Sequence, residues 1–165
     1  MTIGDERPID LRPGSFEAFY KLAWDEIYRS LAITVGDADL AREAVDEAMT
    51  RAYARWRTVG ELSNPNGWVF RVAYRWSIDR LRRRGTERRL LPRLAVMAGR
   101  GDPWVEPGPE SALMAIPREQ RLVVVLACVH DWSEHNIAEA LGVRPGTVKS
   151  RLHRGLARLR EELEK

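Results

Sequence analysis

Apolar residues recur at three- and four-residue steps along two long stretches of the chain. The first stretch runs from Phe16 to about Arg84, with a turn at Gly36-Asp37 and a loop over residues 58–67. The second begins at Glu110 and continues towards the C-terminus. No credible strand interrupts the first stretch, and the whole pattern predicts an all-α protein made of two small helical domains.

The segment between these stretches sets the predicted domain boundaries. It contains four prolines and several glycines, a composition typical of a linker. We expect a tail over residues 1–15, a first domain over 16–86, a linker over 87–109 and a second domain over 110–165. The 165 residues are enough for two such domains, because about 50 residues can bury a core.

The last thirty-odd residues predict two helices around a tight turn. Ser133 can cap the first helix, Gly142 can end it, and Pro145 suits the first turn of the second. The small residue Ala138 would let the two helices cross closely. This arrangement is a helix-turn-helix, whose second helix can enter the major groove of DNA. On that helix we expect a regular apolar face to point inward: Val148, Leu152, Leu156, Leu159 and Leu163.

The opposite face of the second helix is basic. Residues 144–160 contain six Lys or Arg and no Asp or Glu. A charged face that merely contacts solvent is the alternative interpretation. The basic face occurs together with both helix caps and the turn glycine, however, and this combination favours contacts to phosphates and base edges. The predicted DNA-binding residues are Arg144, Thr147, Lys149, Ser150, Arg151, His153 and Arg154.

The first domain has two helices of opposite charge. One combines an acidic surface with apolar, mostly small residues that face a partner or the core, namely Ala41, Ala44, Val45, Ala48 and Met49. Its acidic residues are Asp39, Glu43, Asp46 and Glu47, and a merely solvated face is an equally open interpretation. The next helix combines arginines with aromatic residues, as in single-strand binding, although we expect Trp56, Phe70 and Trp68 to be at least partly core.

Composition excludes other classes of protein. The net charge is +3 but is unevenly distributed along the chain. The longest apolar run, residues 122–129, is too short to span a bilayer, so we expect a cytoplasmic protein. Cys128 lies in that run, which predicts a buried structural thiol. His130 and His135 are five residues apart and do not share a helical face, so we expect no metal site, no cofactor and no catalytic residue.

Together these blocks resemble an extracytoplasmic-function sigma factor, of the family that directs bacterial RNA polymerase to promoters. Residues 16–20, Gly36-Asp37, 41–48, 51–56, 66–73 and 79–84 resemble sigma region 2, whereas residues 112–121 and the helix-turn-helix resemble region 4. The matches cover roughly residues 16–84 and 110–163, and their order is more specific than any single motif.

The resemblance implies a role for each surface. The acidic helix would contact the β′ clamp helices of core RNA polymerase, the first helices of the second domain would contact the β flap, and an anti-sigma protein is an implied partner. The helix-turn-helix would bind the minus-35 element of promoter DNA. The loop and following helix would bind and open the minus-ten element through Asn64, Asn66, Trp68, Arg71, Tyr74, Arg75, Arg80, Arg82, Arg83 and Arg84.

Linker length fits these two roles. The 24 residues from Glu87 to Glu110 can extend about 80 Å, slightly more than two DNA turns of about 34 Å. The chain departs from the family's pattern in both domains. Acidic residues are common at Arg42, glutamine at Asp46 and asparagine at Arg75, and residues 131–135 differ from the more usual order of glycine, aromatic or leucine, serine and hydrophobic residue. A stand-alone helix-turn-helix regulator, and a degenerate sigma-like protein that binds polymerase or an anti-sigma protein without initiating, remain as alternatives.

Overall fold

The computed structural model describes residues 14–90 and 109–164, and within these residues it contains eight helices and no strand. In the first half they are α1 (Phe16–Val35), α2 (Ala38–Ala54), α3 (Trp56–Val59) and α4 (Pro65–Leu90). In the second half they are α5 (Pro109–Ala115), α6 (Arg118–Cys128), α7 (Glu134–Leu141) and α8 (Pro145–Leu163). The all-α prediction is confirmed. The predicted tail lies almost entirely outside the described residues, and most of the predicted linker does as well.

Local signals set the ends of the first helices. The Ser15 side chain accepts a hydrogen bond from the Ala18 amide and caps α1. Gly36 ends α1 at φ +74°, and Asp37 caps α2 by accepting from the Leu40 amide at 2.9 Å. The predicted turn at Gly36-Asp37 is therefore confirmed. A Cβ on Gly36 would meet the end of the flexible, exposed Met114 side chain, which can move aside, so it is the left-handed backbone conformation that favours glycine here.

Helix α2 lies in the centre of the first half, between α1 and α4. Small side chains allow this close packing, because Ala41, Ala44, Ala48 and Ala52 are all completely buried. The predicted inward face of this helix is thus confirmed. Helix α4 contributes Phe70 to the same core, and Trp56 and Trp68 are partly buried against it, as expected.

Helix α6 is the core of the second half. Residues 122–126 are buried without interruption, since α8 covers one side of this helix and α1 of the first half covers another. Coverage ends there, and Cys128 is exposed. The prediction of a buried thiol was wrong, because a continuous apolar run does not show where neighbouring helices stop.

Helix α8 crosses α6 at Gly155, which is buried. A Cβ at this position would lie 2.7 Å from Cγ2 of Val124, so only glycine permits the observed approach. The predicted inward face of α8 is only partly correct: Val148 is buried, but Leu156 and Leu163 are 39% and 57% exposed. At about 1.5 Å per residue, α8 spans roughly 28 Å and α6 roughly 16 Å, so the C-terminal part of α8 extends beyond α6.

Candidate nucleic-acid and polymerase interfaces

The turn between α7 and α8 has the predicted helix-turn-helix geometry. The Ser133 hydroxyl accepts from the Asn136 amide at 3.1 Å and caps α7. Gly142 ends α7 at φ +65°, and the Val143 amide donates to the Ala138 carbonyl at 3.0 Å, as in a Schellman-type cap. Pro145 occupies the first turn of α8. The sequence signals at both helix ends are therefore correct.

Most of the predicted basic face of α8 is open to solvent. Arg144, Lys149, Ser150, His153 and Arg154 are exposed, whereas Thr147 and Arg151 are half-buried. The Arg151 guanidinium forms an ion pair with Glu119 near the start of α6. Arg154 turns back along its own helix and donates to the Ser150 carbonyl at 3.1 Å. The α8 surface thus has a cluster of cations, one of which is already paired with a carboxylate.

The arginines of α4 fall into two groups. Arg75, Arg80, Arg82 and Arg83 are exposed, and the Arg80 guanidinium lies 5.6 Å from the Trp76 ring centre. Arg71 and Arg84 are half-buried, as are Trp68 and Tyr74. Nη1 of Arg84 lies 3.2 Å from Oδ2 of Asp37 at the start of α2, so this arginine is paired within the protein. The arginines and rings that were predicted to contact the minus-ten strand therefore lie along one helix.

The start of α4 differs from the predicted loop. The helix begins at Pro65, so Asn66 lies in its first turn rather than in a loop. The Asn64 Oδ1 atom accepts from the Gly67 amide at 2.8 Å, which makes this side chain a helix cap. Beside it is a cavity of about 210 Å³ lined by Leu62, Ser63, Asn64, Gly67, Trp68, Arg71, Glu139 and Ala140.

The acidic surface of α2 is largely accessible. Asp39, Glu43 and Asp46 are exposed, and the half-buried Glu47 accepts from Arg51 at 2.7 Å. Asp46 also accepts a hydrogen bond from Nε1 of Trp24 at 2.8 Å. The acidic helix and the aromatic residues of α1 therefore form one continuous surface.

Sequence reasoning missed the aromatic part of this surface. Phe16, Tyr20, Trp24 and Tyr28 are spaced four residues apart on α1, and this spacing is the signal that could have found it. The Arg42 guanidinium lies 5.6 Å from the Trp24 ring centre and 5.2 Å from that of Tyr28. Arg42 thus uses its flat cation on aromatic faces, a contact that an acidic residue could not make. Partial burial and the nearby Asp46 carboxylate raise the pKa of Tyr20.

His130 contacts two residues of the first half of the chain. The His130 ring contacts the Ser30 hydroxyl through Nε2, and its Nδ1 atom lies 3.1 Å from Oε1 of Glu26. Both partners are on α1, so this histidine joins the two halves of the chain. Within residues 14–90 and 109–164, no three His, Cys, Asp or Glu side chains are placed so that they could share a metal ion.

Comparison with known proteins defines the class of this helical fold. The family description "Sigma-70, region 4" matches residues 110–159, which include the helix-turn-helix. The sigma factor RpoE of Bartonella quintana, solved with the anti-sigma factor NepR, matches with a TM-score of 0.75 at 23% identity, covering 90% of this chain and 96% of that one. The fold is therefore that of a sigma factor with two helical domains.

Curated relatives identify the family. The RNA polymerase sigma-E factors of Streptomyces coelicolor and Streptomyces avermitilis are 33% and 34% identical, each match covering 90% of this chain and 85% of the relative. The ECF RNA polymerase sigma factor SigW of Bacillus subtilis is 29% identical, over 84% of this chain and 83% of its own length. The chain belongs to the extracytoplasmic-function family of RNA polymerase sigma factors, which confirms the predicted resemblance. Sigma factors initiate transcription and are not enzymes, and this membership supports that function over a stand-alone regulator.

The helices also bear on membrane association. No helix in the described part of the chain is both long and apolar enough to cross a bilayer.

Proposed function

We propose that the chain binds core RNA polymerase in the cytoplasm and directs it to promoters, with α8 at the minus-35 element and α4 at the minus-ten element. One observation supports this proposal: the same chain has a helix-turn-helix with an exposed basic face and a separate helix, α4, that is rich in arginines and aromatic rings. A regulator that only bound duplex DNA would need the first surface but not the second.

At the minus-35 element, the exposed cations of α8 supply the contacts. Arg144 and Lys149 lie near the N-terminal end of α8, the part of a recognition helix that contacts base edges. A bidentate contact from Arg or Lys to guanine contributes about 1–3 kcal/mol of discrimination. Arg151 has a different role in this proposal: its ion pair with Glu119 fixes α8 against α6, so it acts on DNA only after that pair breaks.

At the minus-ten element, α4 stabilises the open strand. Exposed Arg75 and Arg80 neutralise phosphates, and the rings of Trp68 and Tyr74 stack on bases that have left the duplex. A guanidinium has no hydrogen-bond acceptor, so Arg75 cannot make the paired donor and acceptor contact to adenine that an asparagine amide makes. We therefore assign Arg75 to the phosphate backbone, which makes binding at this position less dependent on sequence.

The acidic surface of α2 is the proposed contact for the β′ clamp helices. Asp39, Glu43 and Asp46 project into solvent on one helix, and α1 extends this surface with apolar rings.

Helices α5 and α6, the first two of the second half, are the proposed contact for the β flap. We also propose an anti-sigma protein as a partner, and repeated co-purification that returned core polymerase alone would argue against it.

In-vitro transcription with purified core polymerase on genomic DNA tests the main proposal. Addition of the chain should create new start sites that share two conserved elements. If the chain binds promoter DNA by itself but never changes the start sites of core polymerase, the proposal fails.

The polymerase contact has a matched test. Glu43→Lys reverses a charge on the exposed acidic surface and should weaken binding to core polymerase about tenfold, since close charge pairs at interfaces contribute 1.5 kcal/mol or more. Glu161→Lys makes the same change at an exposed position near the end of α8 and should leave that affinity unchanged. Equal losses from both variants would show that net charge, and not the α2 surface, controls polymerase binding.

A further inference from the structure

One cation of the basic α8 surface is held by a carboxylate. Residues 144–160 contain six Lys or Arg, and within the described residues Arg151 is the one among them whose guanidinium lies within ion-pair distance of a carboxylate. Its partner, Glu119, is in the first turn of α6 and lies 32 positions away in the sequence. The Arg151 guanidinium therefore points towards α6, although its backbone belongs to the proposed recognition helix.

Arg151 lies at the edge of the face that is proposed to contact DNA. Thr147 is four residues before it and Arg154 is three residues after it, so these side chains are neighbours on the helix surface. Arg154 is held within α8 instead, because it donates to the Ser150 carbonyl at 3.1 Å and to the Ser150 hydroxyl at 3.4 Å. An Arg151 released from Glu119 would add a second cation at this edge, where phosphates flank a helix bound in the major groove.

The ion pair is weak enough for a phosphate to replace it. The Glu119 side chain is 64% exposed and that of Arg151 is 21% exposed, so water reaches the carboxylate. Pairs of this kind shift an equilibrium constant by at most about fivefold. A guanidinium binds carboxylate and phosphate with the same forked geometry. The Glu119 carboxylate and a DNA phosphate are therefore alternative ligands of one cation.

We propose that Glu119 competes with DNA phosphate for Arg151 and so limits the sequence-independent affinity of the α8 surface. Phosphate contacts strengthen binding to every duplex without reading its sequence, so withdrawal of one such contact leaves the base contacts of α8 unchanged. Glu119 thus sets how tightly α8 binds DNA, while residues such as Lys149 set which sequence it binds. This inference rests on the proposed role of α8 at the minus-35 element.

Substitutions in the full chain separate this competition from other effects of charge. Glu119→Gln removes the carboxylate charge and keeps the size of the side chain, and Arg151→Gln removes the cation that is competed for. Glu134→Gln is the matched control, because it removes the same charge from an exposed position in the first turn of α7. Both glutamates favour the start of their helix, so both variants lose that interaction. Circular dichroism verifies folding, and Glu119→Ala replaces Glu119→Gln if the latter does not fold.

Fluorescence anisotropy with two unrelated duplexes of equal length measures affinity between about 50 and 200 mM salt. Glu119→Gln should bind both duplexes about three- to fivefold more tightly. Its slope of log affinity against log salt concentration should be steeper by about 0.9, the value for one added phosphate contact on duplex DNA. Arg151→Gln and Glu134→Gln should stay within about twofold of the wild type with an unchanged slope, and the double variant Glu119→Gln, Arg151→Gln should lose the whole gain.

Several results would overturn the competition. A gain that persists in the double variant, or that Glu134→Gln reproduces, would be a general effect of net charge. A loss of affinity in Arg151→Gln alone would show that this arginine already contacts phosphate in the wild type. A gain confined to one duplex would show that Glu119 acts on base reading. If the variants behave as expected but the chain never changes the start sites of core polymerase, the proposed function fails while the competition at α8 stands.

Discussion

Gly155 provides a sharp test of how the helix-turn-helix domain is assembled. In Gly155→Ala the new methyl group would lie 2.7 Å from Cγ2 of Val124 and 3.3 Å from the Gln120 carbonyl oxygen. Replacing glycine by alanine inside a helix gains up to about 1 kcal/mol, whereas forcing an extra carbon into a packed core costs about 1–3 kcal/mol. The net loss of unfolding free energy should therefore be between about zero and 2 kcal/mol.

The same substitution elsewhere on α8 separates the two contributions. A Cβ on Gly146 meets nothing within 4 Å, so Gly146→Ala should keep only the helix-propensity gain and leave stability equal or higher. The two variants should differ by about 1–3 kcal/mol, which is the cost of contact with α6. Urea denaturation followed by circular dichroism measures both values.

A double-mutant cycle with Val124 tests whether this contact is the cause. Val124→Ala removes two buried methyl groups and should cost about 2 kcal/mol by itself. It also makes room for a methyl group at residue 155, so the double variant should be at least about 1 kcal/mol more stable than the sum of the single losses predicts. Additive losses, or equal effects of Gly155→Ala and Gly146→Ala, would refute the close crossing of α8 over α6.

Three further predictions use other parts of the molecule. Lys149→Ala should weaken minus-35 binding and reduce the discrimination against a substituted base pair by about 1–3 kcal/mol at one position, as measured by fluorescence anisotropy on duplexes with single substitutions. Ser133→Ala removes the α7 cap and should lower the unfolding free energy by about 1 kcal/mol in a urea titration, whereas Ser133→Asp should preserve it. Burial, followed by the Glu119 carboxylate, raises the pKa of Tyr74 despite opposing effects of Arg118 and Arg151. The stability from its neutral phenol should therefore be complete below the ordinary tyrosine pKa of about 10 and fall above it, and Tyr74→Phe should lose less stability between pH 9 and 11.

Local chemistry explains why the helix ends could be predicted. Ser15, Asp37, Ser133 and Gly142 act on amides or carbonyls within a few residues of themselves, so the relevant partners are visible in the sequence. The inward face of α2 was predictable for a similar reason, because its small residues recur with the helical period. Asn64 was recognised as a notable residue, but its capping bond depends on α4 beginning at Pro65, earlier than the pattern indicated.

Packing between distant segments decided what the sequence pattern left open. Periodicity marked an apolar face on α8 but could not show that α6 is too short to cover Leu156 and Leu163. It likewise could not show that coverage of α6 ends before Cys128. Gly155 had no local turn or cap to explain it, because its reason is the proximity of Val124.

The sequence by itself determined the helices, their caps, the turn at Gly142 and the charge of each surface, since these depend on residues close together in the chain. Its motifs were also sufficient to indicate the family. Only the tertiary structure decided how the surfaces are arranged. Arg121 of α6 donates to a backbone carbonyl near the end of α1, Arg151 pairs with Glu119, and the turn after α7 lies close to two arginines of α4. These contacts join residues far apart in sequence, and a guanidinium has the same local pattern whether it faces a phosphate, a carboxylate or a helix end.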